Sequence, residues 1–214
     1  MIFDLSKTNS AANIFIAELR DENIQLDAMR FRRNLERLGE FFAWEISKTL
    51  TYVPVETQTP LGTANTVQLE KQPVLATIMR AGLPMQQGLL NIFDRAEAAF
   101  ITAYRKMHIN GPLEIQVDYI SAPDLTDKVV IIADPMLATG LSMVLCCKEL
   151  IAQYKIKELH IVAAIASVEG VKHVRANLPA AKLWLGAIDE EMTSKSYIVP
   201  GLGDAGDLAY GTKL

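Results

Sequence analysis

Residues 129–142 constrain this chain more than any other stretch. They read Val129-Val130-Ile131-Ile132-Ala133-Asp134-Pro135-Met136-Leu137-Ala138-Thr139-Gly140-Leu141-Ser142. β-branched apolar residues run into an acid, a short hydroxyl-bearing loop follows, and a helical pattern begins. A loop of this kind at a helix N-terminus aims backbone N–H groups and a helix dipole at one point, which suits a phosphate. The carboxylate of Asp134 repels phosphate and suits sugar hydroxyls or a metal-bound water instead. Side by side, the two features point to a ribose 5-phosphate group. The same residues also fit a plain strand–turn–helix with Ser142 as N-cap.

Around this unit, apolar runs alternate with helical patterns. Residues 13–50 read as a helical stretch, and 52–69 as an extended hairpin turning at Thr59-Pro60-Leu61-Gly62. Strands are expected at 74–79, 98–104, 115–120, 129–133, 159–166 and 182–188. Helices are expected at 84–93, with Pro84 in the first turn, and at 142–154 and 170–177. Gly111-Pro112 breaks the chain between two strands. Continuous apolar strands separated by helices specify an α/β chain whose mostly parallel sheet is covered on both faces. Ligands of such sheets bind outside the carboxyl ends of the strands. With no repeat, linker or low-complexity segment, residues 1–214 are expected to form one domain.

Composition narrows the function classes. The chain is 50% hydrophobic and 21% charged, with a formal net charge of −4. That is a globular composition, and its acidic balance argues against a nucleic-acid partner held by a basic face. Cys146 and Cys147 are adjacent in a helical pattern, pointing about 100° apart, and read as reduced core thiols. The first thirteen residues lack an apolar run of signal length, and no stretch reaches the roughly 18 apolar residues of a membrane span. A cytoplasmic protein with no membrane partner is expected.

Three more loops fall at strand ends. In Met79-Arg80-Ala81-Gly82, a guanidinium follows a buried strand, where it suits a pyrophosphate bidentately or a surface acid. Tyr104-Arg105-Lys106 ends the next strand, either to neutralise a second phosphate or as a solvated charge run. Residues 197–207, Tyr-Ile-Val-Pro-Gly-Leu-Gly-Asp-Ala-Gly-Asp, hold three glycines, which is costly in backbone entropy for a plain tail. Such density suits backbone approach to a flat ligand, or a turn closing the domain. His108, His160 and His173 share no triad or metal spacing and read as structural or surface groups. Met79, Met85 and Met136 read as core or pocket lining.

Together with Arg30-Phe31-Arg32 on the first long helix, these loops resemble the type I phosphoribosyltransferases along nearly the whole chain. The Asp134-to-Gly140 loop and the run Pro200-Gly201-Leu202-Gly203-Asp204-Ala205-Gly206-Asp207 resemble the uracil branch of that family. The resemblance implies the type I fold with a small hood and an extended hairpin. It implies transfer of phosphoribose from 5-phosphoribosyl 1-diphosphate to uracil, giving UMP and pyrophosphate. By the same resemblance Asp134, Arg105 and Asp204 are the catalytic set. Arg80, Arg105, Asp134, Pro135, Met136, Leu137, Ala138, Thr139, Gly140, Leu141, Ser142 and Asp204 bind the donor. The two arginines take its diphosphate and Ala138 to Ser142 its 5-phosphate. Ile198, Gly203, Asp204 and Ala205 bind uracil, largely through backbone groups. Mg2+ is implied as cofactor, held by the donor and water rather than by a protein ligand set. A homodimer or homotetramer is implied, with a GTP effector as in some relatives. The chain departs from the family pattern at Leu141, where a second glycine is usual, and at Leu208. A regulatory RNA-binding homologue, a degenerate structural subunit and an enzyme for another base are the competing readings.

Overall fold

The computed structural model describes residues 1–106 and 114–212, and of residues 104–106 and 114–116 the backbone alone. The expected break at Gly111-Pro112, and His108, lie outside the described residues. The chain begins with β1 (Ile2–Asp4), followed by helices α1 (Ala11–Arg20) and α2 (Ala28–Ser47). Strands β2 (Tyr52–Thr59) and β3 (Gly62–Leu69) form the hairpin, and β4 (Val74–Met79) enters the core. Then come α3 (Leu83–Ile92), β5 (Glu97–Lys106), β6 (Glu114–Ser121), β7 (Val129–Ala133) and the two-residue β8 (Met136–Leu137). The remainder is α4 (Leu141–Gln153), β9 (Glu158–Ser167), α5 (Val168–Asn177), β10 (Lys182–Asp189), β11 (Glu191–Met192), β12 (Ile198–Val199) and α6 (Ala205–Tyr210).

The central sheet runs in the order β1-β10-β9-β7-β4-β5-β6, with β8 paired to β9. Every pairing in it is parallel except β5 with β6. Each face has its own core, as a sheet buried on both sides requires. Phe31, Leu35, Leu38 and Phe42 of α2 pack with Met85 and Leu89 of α3 on one face. Met143, Cys146, Cys147 and Leu150 of α4 pack with Val171 and Val174 of α5 on the other. Both cysteines are therefore free core thiols, and burial pushes the Cys146 thiol up to about 12. His160 is structural as well: its Nδ1 accepts the Trp184 indole N–H at 3.0 Å.

The helical stretch expected over 13–50 is two helices. The Asp21 side chain accepts from the N–H groups of Asn23 and Ile24 at 2.8 and 3.1 Å. Asp27 then caps α2, accepting from Met29 and Arg30 at 3.0 and 3.1 Å. Short acidic side chains offer the backbone partners outside a helix, so this acid-rich stretch ends one helix and starts another. Arg30 pairs with Glu18, and Phe31 is core. Arg32 donates to the Ala209 carbonyl at 2.6 Å and stands over the Tyr210 ring, anchoring α6 to α2.

Candidate active site

Chain reversal at the carboxyl ends of β4 and β7, together with the β11–β12 hairpin and α6, encloses a cavity of about 440 Å³. That lies within the range of small-molecule sites, roughly 300–1,000 Å³. A larger cavity of about 810 Å³ lies at the amino ends of β9 and β10, between Tyr154, Ile156 and Leu178. Its charged lining is Lys155, Lys157 and the Glu158–Lys182 ion pair, and it has no arginine and no helix N-terminus, so the chemistry is assigned to the smaller one.

Strand β7 delivers Asp134 to the cavity wall, fixed by its N–H donating to the Val162 carbonyl at 3.1 Å. Burial, and next the negative charge of Asp204, raise its carboxyl to about 7. The loop beyond it lines the cavity with Met136, Leu137, Ala138, Thr139, Gly140 and Ser142. Gly140 caps α4 in the left-handed region, φ +76°, with no side chain to take the helix's first N–H groups. A Cβ there would lie 2.9 Å from the Gly170 carbonyl, so both the backbone and the space call for glycine. Those orphan N–H groups and the helix dipole form an anion cradle. Ser142 is the second residue of α4 and not its N-cap.

Two supports of this loop carried no signal in the sequence. Ser167, the N-cap of α5, donates its hydroxyl to the Ala138 carbonyl at 2.6 Å and accepts from Gly170 N–H at 2.8 Å. Gly170 leaves room for the loop, since a Cβ there would lie 2.3 Å from the Ala138 carbonyl.

Arg80 reaches the cavity from the end of β4. Its Nη2 donates to the Gly211 carbonyl at 3.1 Å and stands 3.5 Å from Asp207 Oδ1, while its Nε is buried with no partner among the described residues. An unsatisfied buried guanidinium N–H is costly and suits an arriving anion. Opposite, Ile198, Gly203, Asp204 and Ala205 line the wall. Gly203 (φ +92°) and Gly201 (φ +58°) are both left-handed. Asp204 caps α6, accepting from Asp207 N–H at 3.0 Å. The loop is held from behind by groups that sequence reasoning missed. Arg20 grips Asp189 bidentately at 2.7 and 2.8 Å and donates to the Gly201 carbonyl at 2.8 Å. Asp189 also accepts Gly201 N–H at 2.9 Å.

Of the residues expected in the site, Arg80, Asp134, Met136, Leu137, Ala138, Thr139, Gly140, Ser142, Ile198, Gly203, Asp204 and Ala205 share this one cavity. Pro135 and Leu141 do not line it. Pro135 is buried behind the loop, and Leu141 is 41% exposed, with its N–H turned to Thr139 Oγ1 at 3.4 Å. The backbone of Arg105 lies in β5, and its side chain lies outside the described residues. Tyr197, from the loop singled out in the sequence, also lines the cavity, and Ser196 and Lys195 do so without having been expected to. Among the described residues no three His, Cys, Asp or Glu side chains converge as a metal site. Asp134 and Asp204 are the cavity's carboxylates. A magnesium ion would find two carboxylates here at most and would complete its oxygen shell from a phosphorylated ligand and water.

An acid, an anion-binding helix start and a guanidinium on one edge of such a sheet define a type I phosphoribosyltransferase. A hypoxanthine phosphoribosyltransferase from Staphylococcus aureus shares the fold, with TM-score 0.52 and 14% identity over 75% of this chain and 76% of that one. The uracil phosphoribosyltransferase family model matches residues 6–212. The uracil phosphoribosyltransferase of Porphyromonas gingivalis is 50% identical over 214 residues, covering 100% of this chain and 99% of that protein. The structure of the AQ2163 protein from Aquifex aeolicus matches with TM-score 0.89 and 29% identity, covering all of both chains. The chain belongs to the uracil phosphoribosyltransferase family, a family of pentosyltransferases.

Proposed function

We propose that the chain transfers phosphoribose from 5-phosphoribosyl 1-diphosphate to N1 of uracil, releasing pyrophosphate and giving UMP in pyrimidine salvage. The observation carrying this reading is that the anion cradle of α4, Asp134, Arg80 and the backbone-walled loop at 198–205 open into one cavity. The cradle takes the 5-phosphate, and Asp134 accepts from the ribose hydroxyls. Arg80, whose Nε has no partner among the described residues, takes the diphosphate as it leaves with growing negative charge. Backbone groups around Gly203 match the amide-like edges of uracil, so the base is positioned rather than attacked by a nucleophilic side chain. Arg105 and Asp204 remain in the proposed catalytic set, Arg105 from the resemblance and Asp204 from its place on the cavity wall. Magnesium supplies charge neutralisation at the diphosphate.

The β2–β3 hairpin supports a homodimer or homotetramer. It pairs with itself and leaves Tyr52, Val53 and Val67 exposed, and an isolated two-stranded hairpin is marginal in water. Among the described residues no helix is long and apolar enough to cross a membrane. A GTP effector rests on the family resemblance. The test is UMP formation from uracil, donor and magnesium, with cytosine, hypoxanthine and orotate in parallel. Product from uracil alone is expected, and product from another base in preference overturns the assignment.

A further inference from the structure

Among the described residues, two cationic side chains line the active-site cavity, Arg80 and Lys195. Lys195 stands at the tip of the β11–β12 hairpin, and the hairpin is well braced. Thr193 N–H donates to the Tyr197 carbonyl at 2.8 Å, and Ser196 N–H donates to the Thr193 carbonyl at 2.9 Å. Tyr197 N–H donates to Thr193 Oγ1 at 3.1 Å. Ser196 turns the chain in the left-handed region, φ +62°. Met192 pairs with Ile198, so the tip continues from the wall that carries Ile198.

The charges of the cavity leave Lys195 a task. Asp134 and Asp204 are the acids of the described wall, and Arg80 is shared with Asp207 and Gly211. The donor carries a 5-phosphate and a diphosphate. The diphosphate has Arg80, whereas the cradle at Ala138 to Ser142 offers hydroxyls and N–H groups and no cationic side chain. A flexible ammonium with three donors is the side chain that suits a single phosphate as a point charge.

We propose that Lys195 binds the 5-phosphate common to the donor and UMP and so favours phosphorylated over unphosphorylated ligands. This rests on the reaction proposed above. The test is calorimetric titration of wild type, Lys195→Ala and Lys195→Arg with UMP and with inorganic pyrophosphate, beside steady-state kinetics. The Ala variant is expected to bind UMP about tenfold more weakly and to raise the donor KM about tenfold, the loss of one charge-assisted contact. Pyrophosphate affinity and uracil KM stay within twofold, and Arg restores UMP binding. UMP affinity and donor KM unchanged in the Ala variant overturn the proposal. So does a loss confined to pyrophosphate, or a rise confined to uracil KM. Failure of the wild type to turn over uracil overturns the reaction instead, and the UMP titration still reads Lys195 in that case.

Discussion

Arg80 and Asp207 face each other across the mouth of the cavity, with Nη2 3.5 Å from Oδ1. Asp207 belongs to α6, whose cap Asp204 closes the wall assigned to uracil, while Arg80 ends the strand that would meet the diphosphate. Beside the pair, a Cβ at Gly206 would press on Asp204 Oδ1 at 3.2 Å but meet Arg80 Nη2 only at an ordinary 3.9 Å. The loops for the two substrates therefore meet at one ion pair, and α6 in turn is tied to α2 through Arg32 and the Ala209 carbonyl. On the proposed assignment, an arriving diphosphate would compete with Asp207 for Arg80.

Arg80→Ala is expected to lower kcat/KM for the donor by about 2–4 kcal/mol in transition-state terms, with little change in Tm. Asp207→Asn removes the competitor while keeping the backbone N–H that Asp204 accepts. The pair is partly exposed and worth about 0.2–1 kcal/mol, so the donor KM is expected to fall by no more than about fivefold. Initial-rate kinetics check both. A donor KM that rises in Asp207→Asn would show that the acid positions Arg80 rather than competing for it.

Asp134 predicts a pH signature in the ligand-free protein. Its carboxyl is raised from 3.8 to about 7 by burial and by Asp204. Between those values the unfolded chain loses this proton while the folded protein keeps it. The folded state then binds more protons, and stability falls as pH rises from about 4 to about 7. Asp134→Asn lacks this loss, so its Tm relative to wild type is expected to climb between about pH 4 and pH 7 and to level off above. Parallel Tm curves for the two proteins would mean that Asp134 titrates as an ordinary carboxylate. The Asn variant is expected to lose most activity above about pH 7, where the wild-type carboxyl is ionised and can accept from the ribose hydroxyls as a carboxylate, and to differ less from wild type below it.

Much of this fold was legible because its strands are continuous apolar runs and its hairpin turns on a Pro-Leu-Gly sequence. Strands β4, β7, β9 and β10 fall within a residue or so of the expected spans. What escaped depends on partners distant in sequence or on very short elements. Strands β1 and β8 have three and two residues and exist through their pairing with β10 and β9. The split between α1 and α2 turns on the side-chain geometry of Asp21 and Asp27, which helical periodicity does not register. The donor loop announced itself because strand, acid, glycine and hydroxyls are consecutive. Its brace Ser167 lies 29 residues from Ala138, and the clamp from Arg20 to Asp189 spans 169 residues. Neither distance leaves a local pattern. Lys195 resembles any charged residue in a turn until the turn is seen to overhang the cavity.

The Arg20–Asp189 clamp should separate the two substrates kinetically. Asp189 is 7% exposed and holds both the Arg20 guanidinium and Gly201 N–H. Asp189→Asn keeps the shape and removes the charge, leaving a partly buried arginine unpaired. A cost of about 3 kcal/mol is expected, lowering Tm by roughly 5–10 °C in a chain of this size. Because the clamp orders the loop at 198–204 and does not touch the Thr139 cradle, uracil KM is expected to rise about tenfold with the donor KM within twofold. Equal changes in both constants would show that the clamp supports the whole site.

Leu141 departs from the second glycine that the family resemblance implies, and the structure leaves room for its side chain. The residue opens α4 in helical conformation, its side chain is 41% exposed, and the cavity is lined by Gly140 and Ser142 on either side of it. The left-handed turn that requires glycine is completed one residue earlier, at Gly140. A Cβ at position 141 therefore points away from the anion cradle and adds helix propensity at the start of α4. Leu141→Gly is expected to cost up to about 1 kcal/mol of stability by denaturant titration while leaving the donor KM within twofold. A donor KM that falls severalfold in Leu141→Gly would mean that the leucine crowds the phosphate after all. Gly140→Ala is the contrasting change: it needs the left-handed backbone and meets the Gly170 carbonyl at 2.9 Å, so it is expected to weaken donor binding as well as the fold.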